Sequence, residues 1–424
     1  MTGEDGTIAH HSSRGALDAA QHAPWPIQLL DVAALRRSGT RAVPLRQFVL
    51  KMHSHCNLAC TYCYIYTGPD STWRGRPKHM NDETIHRTAD RIAEHVRCHD
   101  LRDVRVDLFG GEPLLTGPDP LLRSAEALRS ALPPTCELDL SVQTNGVLVT
   151  ERMLDKLASA SIRVGLSVDG GTAALNRHRV DHAGRSVWST VSRAAGILRE
   201  RPDTYSGILA TIDISSDPVE VFESLLDLQP PFLDLLLPHA NWTSPPPSEE
   251  SEPAPHGRWL RAVFDHWWDA DRPGPPVRTF QEIISLLLGR PSRSESVGLS
   301  PMAAIIVDTD GAIEQVDSVK SAYHGASATG LNVFTDSFDS ALDHPAVAAR
   351  QLRLAGLAEQ CQACPLVIVC GGGNYAHRYL EGSGFRHPSV YCVDLELLIR
   401  HIADRLVAAL PSVSPPTSGL GNMP

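Results

Sequence analysis

From residue 48 to residue 238, short apolar runs alternate with amphipathic stretches, and this limits the fold more than any other feature of the chain. FVLKMH precedes 83–99, VRVDLF precedes 120–132, LDLSVQT precedes 151–160, IRVGLSV precedes 186–199, GILATIDI precedes 218–228, and FLDLLLP closes the series. Six strands separated by helices predict parallel βαβ units, whose right-handed crossovers roll the sheet into a barrel or a large arc. In such a fold the chemistry gathers at the C-terminal ends of the strands. The 424 residues, 42% hydrophobic and 21% charged, suffice for this core and an appendage.

The first strand runs into HCNLACTYCYIY, where Cys56, Cys60 and Cys63 are separated by gaps of three and two residues. Three thiolates on one tight loop ligate three irons of a cubic iron-sulfur cluster and leave the fourth open to a substrate; a zinc knuckle or buried thiols are the bland alternatives. A second set, Cys361, Cys364, Cys370 and Cys392, supplies four thiolates, enough for a closed four-iron cluster or for structural zinc. Spacing does not choose between those two. Of the nine cysteines only Cys98 and Cys136 remain, and these read as buried free thiols.

A formal charge of -11 argues against a general nucleic-acid partner. The sequence has no apolar run of about eighteen residues for a membrane span, and its first residues, MTGEDGTIAHHSSRG, do not read as a signal peptide. The expected location is therefore the cytoplasm.

The cysteine loop, with Tyr62 before its last cysteine, resembles that of the radical S-adenosylmethionine (SAM) superfamily, where the open iron chelates SAM and one electron cleaves it to a 5′-deoxyadenosyl radical. The end of the second strand, Gly110-Gly111-Glu112-Pro113, resembles the GGEP motif of the same enzymes, whose backbone and glutamate hold the SAM amino group. Two glycines there also let the backbone approach a ligand closely. Strand three ends in Gln143-Thr144-Asn145-Gly146, a polar rim suited to ribose hydroxyls or a peptide, with Asn145 equally readable as a turn residue. Strand four ends in Ser167-Val168-Asp169-Gly170, and Arg179 follows twelve residues after Ser167. The resemblance implies that Ser167 contacts SAM and that Arg179, preferred over Arg177 for its offset, forks onto the SAM carboxylate.

The second cysteine set resembles the outer auxiliary cluster of SPASM domains, found on radical SAM enzymes that modify peptides. The cysteines of an inner auxiliary cluster are replaced by Val316 and Asn374, so two 4Fe-4S clusters are expected rather than three. Asp317 matches the carboxylate that acts as a base in sulfatase maturases of this layout, with a solvated turn residue as the plain alternative. The blocks CGGGNYAHRY and GFRHPSVYCVDLELLIRHI resemble FxsB-type SPASM maturases, which act on short ribosomally made precursor peptides.

The expected fold is thus α/β, a partial (β/α)6 TIM-like barrel of radical SAM type with a C-terminal SPASM-like iron-sulfur domain. Its expected divisions are an extension (1–45), the core barrel (46–240), a Pro/Ser/Glu-rich linker with bridging helices (241–300), the auxiliary-cluster domain (301–403) and a mostly disordered tail (404–424). The resemblance implies a maturase that joins an aromatic ring carbon to a nearby β-carbon as a cyclophane, fed by a donor such as flavodoxin or ferredoxin. The alternatives are oxidation of Cys or Ser to formylglycine, against which the missing inner cysteines count, and a non-catalytic iron-sulfur sensor or scaffold.

Overall fold

The computed structural model describes residues 24–246 and 253–409. Six strands, β1 (Gln47–His53), β2 (Asp103–Gly110), β3 (Glu137–Thr144), β4 (Arg163–Ser167), β5 (Tyr205–Thr211) and β6 (Leu233–Leu236), lie parallel in chain order. The crossovers are α1 (Asp82–Cys98), α2 (Pro118–Ala131), α3 (Glu151–Ser159), α4 (Trp188–Arg199) and α5 (Pro218–Leu226). One face of the sheet is apolar: Phe48, Leu50 and Met52 on β1, Val106 and Leu108 on β2 and Val142 on β3 share it by register and are all buried, while Lys51, Asp107 and Gln143 alternate onto the other face. Helix starts are written in the sequence. Asn81 accepts from the Thr84 N–H to cap α1, Thr150 caps α3, and Asp217 followed by Pro218 caps α5. On α1 the buried Ile85, Ala89, Ile92 and Val96 recur every three to four residues and face the sheet.

Three expectations need correction. The expected boundary at 301 cuts through one sheet, because β7 (Ala304–Val307) pairs in parallel with β1, Phe48 opposite Ile305. Strands β8 (Ala312–Glu314) and β9 (Ala328–Asn332) continue it antiparallel, giving nine strands in the order β6-β5-β4-β3-β2-β1-β7-β8-β9. The segment after 301 therefore starts as an extension of the core and carries its residues up to the β1 strand end. Next, the last helix runs over Cys392–Ala409, so 404–409 belong to it rather than to a tail; 1–23, 247–252 and 410–424 lie outside the described residues. Finally, Cys98, the last residue of α1, is exposed, and Cys136 is half-buried at the entrance to β3.

The bridging helices, α6 (Pro255–Trp268) and α7 (Arg278–Leu287), pack against the last helix, α8 (Cys392–Ala409). Gly257 donates to Asp394 at 2.8 Å, and a Cβ at Gly257 would lie 2.5 Å from the Asp394 carbonyl. A glycine is what lets α6 and α8 approach this closely. No helix among the described residues is long and apolar enough to cross a membrane.

Candidate functional site

The cysteine loop leaves β1 at its C-terminal end and is tied down by its own backbone. Cys63 N–H donates to Cys60 O at 3.1 Å and Thr67 N–H to Cys63 O at 2.8 Å, while Leu58 N–H points at Cys56 Sγ at 3.4 Å. Burial pushes the Cys56 thiol up to about 12 and raises Cys60 and Cys63 as well. Thiolates there need a strong compensating charge, which a bound metal supplies.

Gly110 and Gly111 serve the chain's own packing before any ligand. A Cβ on Gly110, at φ +150°, would sit 2.3 Å from His53 O, and one on Gly111 would sit 2.3 Å from His55 O. They allow the β2 end to dock on the backbone that leads into the cysteine loop, and Gly111 N–H and Glu112 N–H donate to His53 O and His55 O.

Glu112 is fully buried and accepts from Leu114 N–H (3.0 Å), Thr144 Oγ1 (2.7 Å) and Asn145 N–H (2.8 Å). Burial raises its carboxyl, and these three donors oppose the rise without reversing it. It thereby joins the ends of β2 and β3. Asn145 turns toward the cysteine loop, its Nδ2 donating to Asn57 Oδ1 at 2.8 Å and lying 3.6 Å from Cys56 Sγ. Ser167 Oγ, at the end of β4, accepts from Gln143 Nε2 at 2.8 Å.

Next to these, Tyr62 Oη donates to Asp169 Oδ2 at 2.6 Å and accepts from Arg179 Nη1 at 2.7 Å. Arg179 lies 3.8 Å from Asp169 and is buried, yet its Nε has no hydrogen-bond partner. A buried guanidinium edge with an unspent donor is what an anionic ligand group such as a carboxylate fits. Arg177 is spent elsewhere, on Asp213 and Ser215 at the surface. Asp169 had no role in the sequence reading; its place after Ser167 at a strand end was the available signal.

Asp317 is buried, which removes the solvated-turn alternative. Its carboxylate faces Lys51 Nζ at 2.7 Å and Lys320 Nζ at 3.5 Å. Lys320 is fully buried and also reaches Glu314 at 2.8 Å, while Arg76 pairs with Glu314 at 2.6 Å and with Asp310. Burial works against the Lys320 charge, but Glu314, Asp317 and Asp308 outweigh it and hold the ammonium well above its ordinary range. Asp317 is close enough to the cysteine loop for its charge to act on the Cys63 thiol. Lys51 and Lys320 were missed because single lysines in apolar stretches carry no motif.

The second cysteine set is gathered from two short helices, which carry Cys361 and Cys370, the turn between them, which carries Cys364, and the start of α8 with Cys392. Gly371, at φ +60°, lies so close to Gly298 that a Cβ would meet its carbonyl oxygen at 1.8 Å. Arg378 then clamps the loop after Cys370, donating to the carbonyls of Gly371, Gly372 and Gly373 at 2.8, 3.0 and 2.5 Å. Val316 packs in an apolar cluster with Ala304, Tyr375 and Phe385, and Asn374 Oδ1 caps the turn at Ala376 N–H at 2.9 Å. At both expected inner-cluster positions the side chain present does ordinary structural work.

Among the described residues, the one trio of metal-type ligand atoms within 4.8 Å of one another is His95, His99 and Asp339. The His95 trio is a structural tie, since His95 Nε2 accepts from Leu45 N–H at 2.9 Å and its Nδ1 must then carry the ring proton toward Asp339.

Residues 50–224 match the model of the Radical SAM superfamily. The serine-type anaerobic sulfatase-maturating enzyme of Klebsiella aerogenes is 22% identical over 373 residues, covering 84% of this chain and 87% of that protein. The cysteine-type enzyme of Clostridium perfringens (strain 13 / Type A) is 23% identical over 377 residues, covering 86% and 98%. Among solved structures, native anSMEcpe with bound AdoMet and Cp18Cys peptide superposes with a TM-score of 0.71 at 21% identity, covering 86% of this chain and 99% of that one. Streptococcus suis SuiB bound to precursor peptide SuiA gives 0.58 at 17%, covering 85% and 78%.

These findings overturn the expected cyclophane chemistry, and they support the radical SAM maturase resemblance without its finer FxsB-type assignment. The similarity to sulfatase-maturating enzymes extends over most of both chains, across the stretch that lacks the inner-cluster cysteines. Their absence was weighed too heavily, because a valine in a core and an asparagine cap replace them without disturbing the fold. With a radical SAM core over residues 50–224 and the fold of the sulfatase maturases around it, the chain is a radical SAM oxidoreductase.

Proposed function

We propose that this enzyme oxidises a cysteine or serine side chain of a peptide or protein to the aldehyde of formylglycine. The observation that carries this reading is the match, over most of both chains, to maturases of both the serine and the cysteine type. Asp317 supports it: a buried carboxylate beside the cysteine loop, where an oxidised side chain must shed a proton.

In this reading Cys56, Cys60 and Cys63 hold the SAM-ligating cluster, and Cys361, Cys364, Cys370 and Cys392 hold the auxiliary one. When bound, the first cluster and SAM supply a radical that takes a hydrogen atom, and the auxiliary cluster supplies an electron sink. Arg179 Nε would pair with the SAM carboxylate, Ser167 would contact SAM, and Gly110, Gly111 and Glu112 would hold its amino group. Tyr62 and Asp169 lock the Arg179 guanidinium in place. Asn145 steadies the Cys56 arm.

The β-carbon of the substrate loses one hydrogen atom and then an electron, and the hydroxyl or thiol proton passes to Asp317, which Lys51 and Lys320 orient. Serine gives the aldehyde directly. Cysteine gives a thioaldehyde, which water hydrolyses with release of hydrogen sulfide.

Anaerobic incubation with SAM, a reductant and the Cp18Cys peptide, or its serine version, tests the reading. The expected product reacts with a hydrazide, and the serine peptide falls by about two mass units. A product of that mass without a reactive carbonyl would refute it.

A further inference from the structure

A tier of aromatic and imidazole rings joins the cysteine loop to the C-terminal region. Tyr64, next to Cys63, packs against His239 with ring centroids 4.4 Å apart. His239 faces His377 at 5.6 Å, His377 faces Tyr391 at 4.9 Å, and Tyr391 faces His256 at 5.0 Å. Three separate segments supply the first three rings: the cysteine loop, the stretch after β6 and the turn Tyr375–Arg378. Tyr391 Oη pins the middle one by donating to Pro238 O at 2.9 Å.

His239 Nδ1 and His377 Nε2 are both buried without a hydrogen-bond partner. Two orphaned ring nitrogens on adjoining rings are unusual, since buried polar atoms are as a rule satisfied. The tier also sits beside the reacting centre, because the charges of Asp317, Cys63 and Lys320 all act on the Tyr64 hydroxyl.

We propose that His239 and His377 form the subsite that holds a main-chain amide of the peptide substrate next to its reacting residue. The proposal rests on the peptide-maturase reading above. A neutral imidazole offers one N–H and one lone pair, and a peptide group offers one C=O and one N–H, so two such rings can satisfy an amide completely. Burial lowers both imidazoles, His239 to about 4, so neither carries charge near neutral pH. The neighbouring cation, Arg378, is committed to the carbonyls of Gly371, Gly372 and Gly373. A subsite without a free charge selects an uncharged amide over a terminal carboxylate or a lysine side chain.

The unpartnered atoms specify the test. The asparagine amide overlays Nδ1 of histidine, and the glutamine amide overlays Nε2. Binding of labelled Cp18Cys peptide to the anaerobically reconstituted enzyme with SAM is measured by fluorescence anisotropy, with iron content as the control on folding. His239→Leu and His377→Leu should each weaken binding by about tenfold or more, while His239→Asn and His377→Gln should stay within about threefold of the parent. The crossed variants, His239→Gln and His377→Asn, should resemble the leucine variants.

Parental affinity in both leucine variants would overturn the subsite while leaving the maturase reading intact. Should those variants lose their iron, the isosteres decide, and equal affinities for His239→Asn and His239→Gln would overturn it. A parent enzyme that neither binds nor oxidises the peptide refutes the maturase reading and the subsite together.

Discussion

Replacing Arg179 by lysine is the sharpest perturbation of the proposed SAM site, because it keeps a positive charge and removes the planar fork. Arg179 donates through Nη1 to Tyr62 Oη at 2.7 Å, lies 3.8 Å from Asp169, and keeps a buried Nε free. A lysine ammonium can satisfy Tyr62 or reach a ligand carboxylate, but it cannot form the same paired geometry. Loss of a charge-assisted bond to SAM is expected to cost about 2 kcal/mol, roughly a thirtyfold rise in Kd. Arg177→Lys is the matched control, since its bonds to Asp213 and Ser215 lie at the surface and are worth less than about 1 kcal/mol. Isothermal titration of anaerobically reconstituted enzyme with SAM reads both. Equal affinities for the two variants would refute the assignment of Arg179, and a thirtyfold loss in Arg177→Lys would transfer the role.

The remaining expectations concern clusters, charge and pH. Reconstituted enzyme should hold about eight iron atoms, and replacing Cys56, Cys60 and Cys63 by alanine should leave about four and abolish SAM cleavage; about twelve in the parent would reveal a third cluster. Lys320→Met leaves Glu314 and Asp317 buried with fewer partners and should cost about 3 to 5 kcal/mol in urea unfolding, against under 1 kcal/mol for an exposed pair such as Arg400–Glu396. Asp317→Asn should preserve deoxyadenosine formation while aldehyde product falls, and full product yield would return Asp317 to a structural role. His239 and His344 are each held neutral by burial, down to about 4 against an unfolded value near 6.5. Their stabilising effect is complete above pH ~6.5 and is lost as pH falls toward ~4, about 3 kcal/mol each at most, so Tm should drop over that window. A Tm flat across it would contradict the burial argument.

The core was legible because its signals are local and periodic. All six parallel strands and their five crossover helices fall where the alternation placed them, and caps such as Asn81 and Asp217 mark the helix starts. The cysteine sets, Glu112 and Ser167 near the strand ends, and Arg179 in the segment after β4 can be put forward as ligands from the sequence because each belongs to a short local motif or offset. Pairings between distant segments were not. Nothing local says that 304–307 will lie against β1, and hence that Asp317 will meet Lys51. Gly110 and Gly111 were read as making room for a ligand, and they first make room for His53 and His55. His239 and His377 are 138 positions apart, so only the packed structure brings their rings side by side.

The formylglycine reading is tested most directly with the fate of the substrate β-hydrogens. A peptide carrying serine with both β-hydrogens replaced by deuterium is incubated with enzyme, SAM and reductant, and deoxyadenosine and peptide are analysed together by mass spectrometry. The account predicts deoxyadenosine carrying one deuterium and, in equal amount, a hydrazide-reactive peptide aldehyde that retains the other. Deoxyadenosine without deuterium, or a peptide that has lost deuterium and gained no carbonyl, would contradict it.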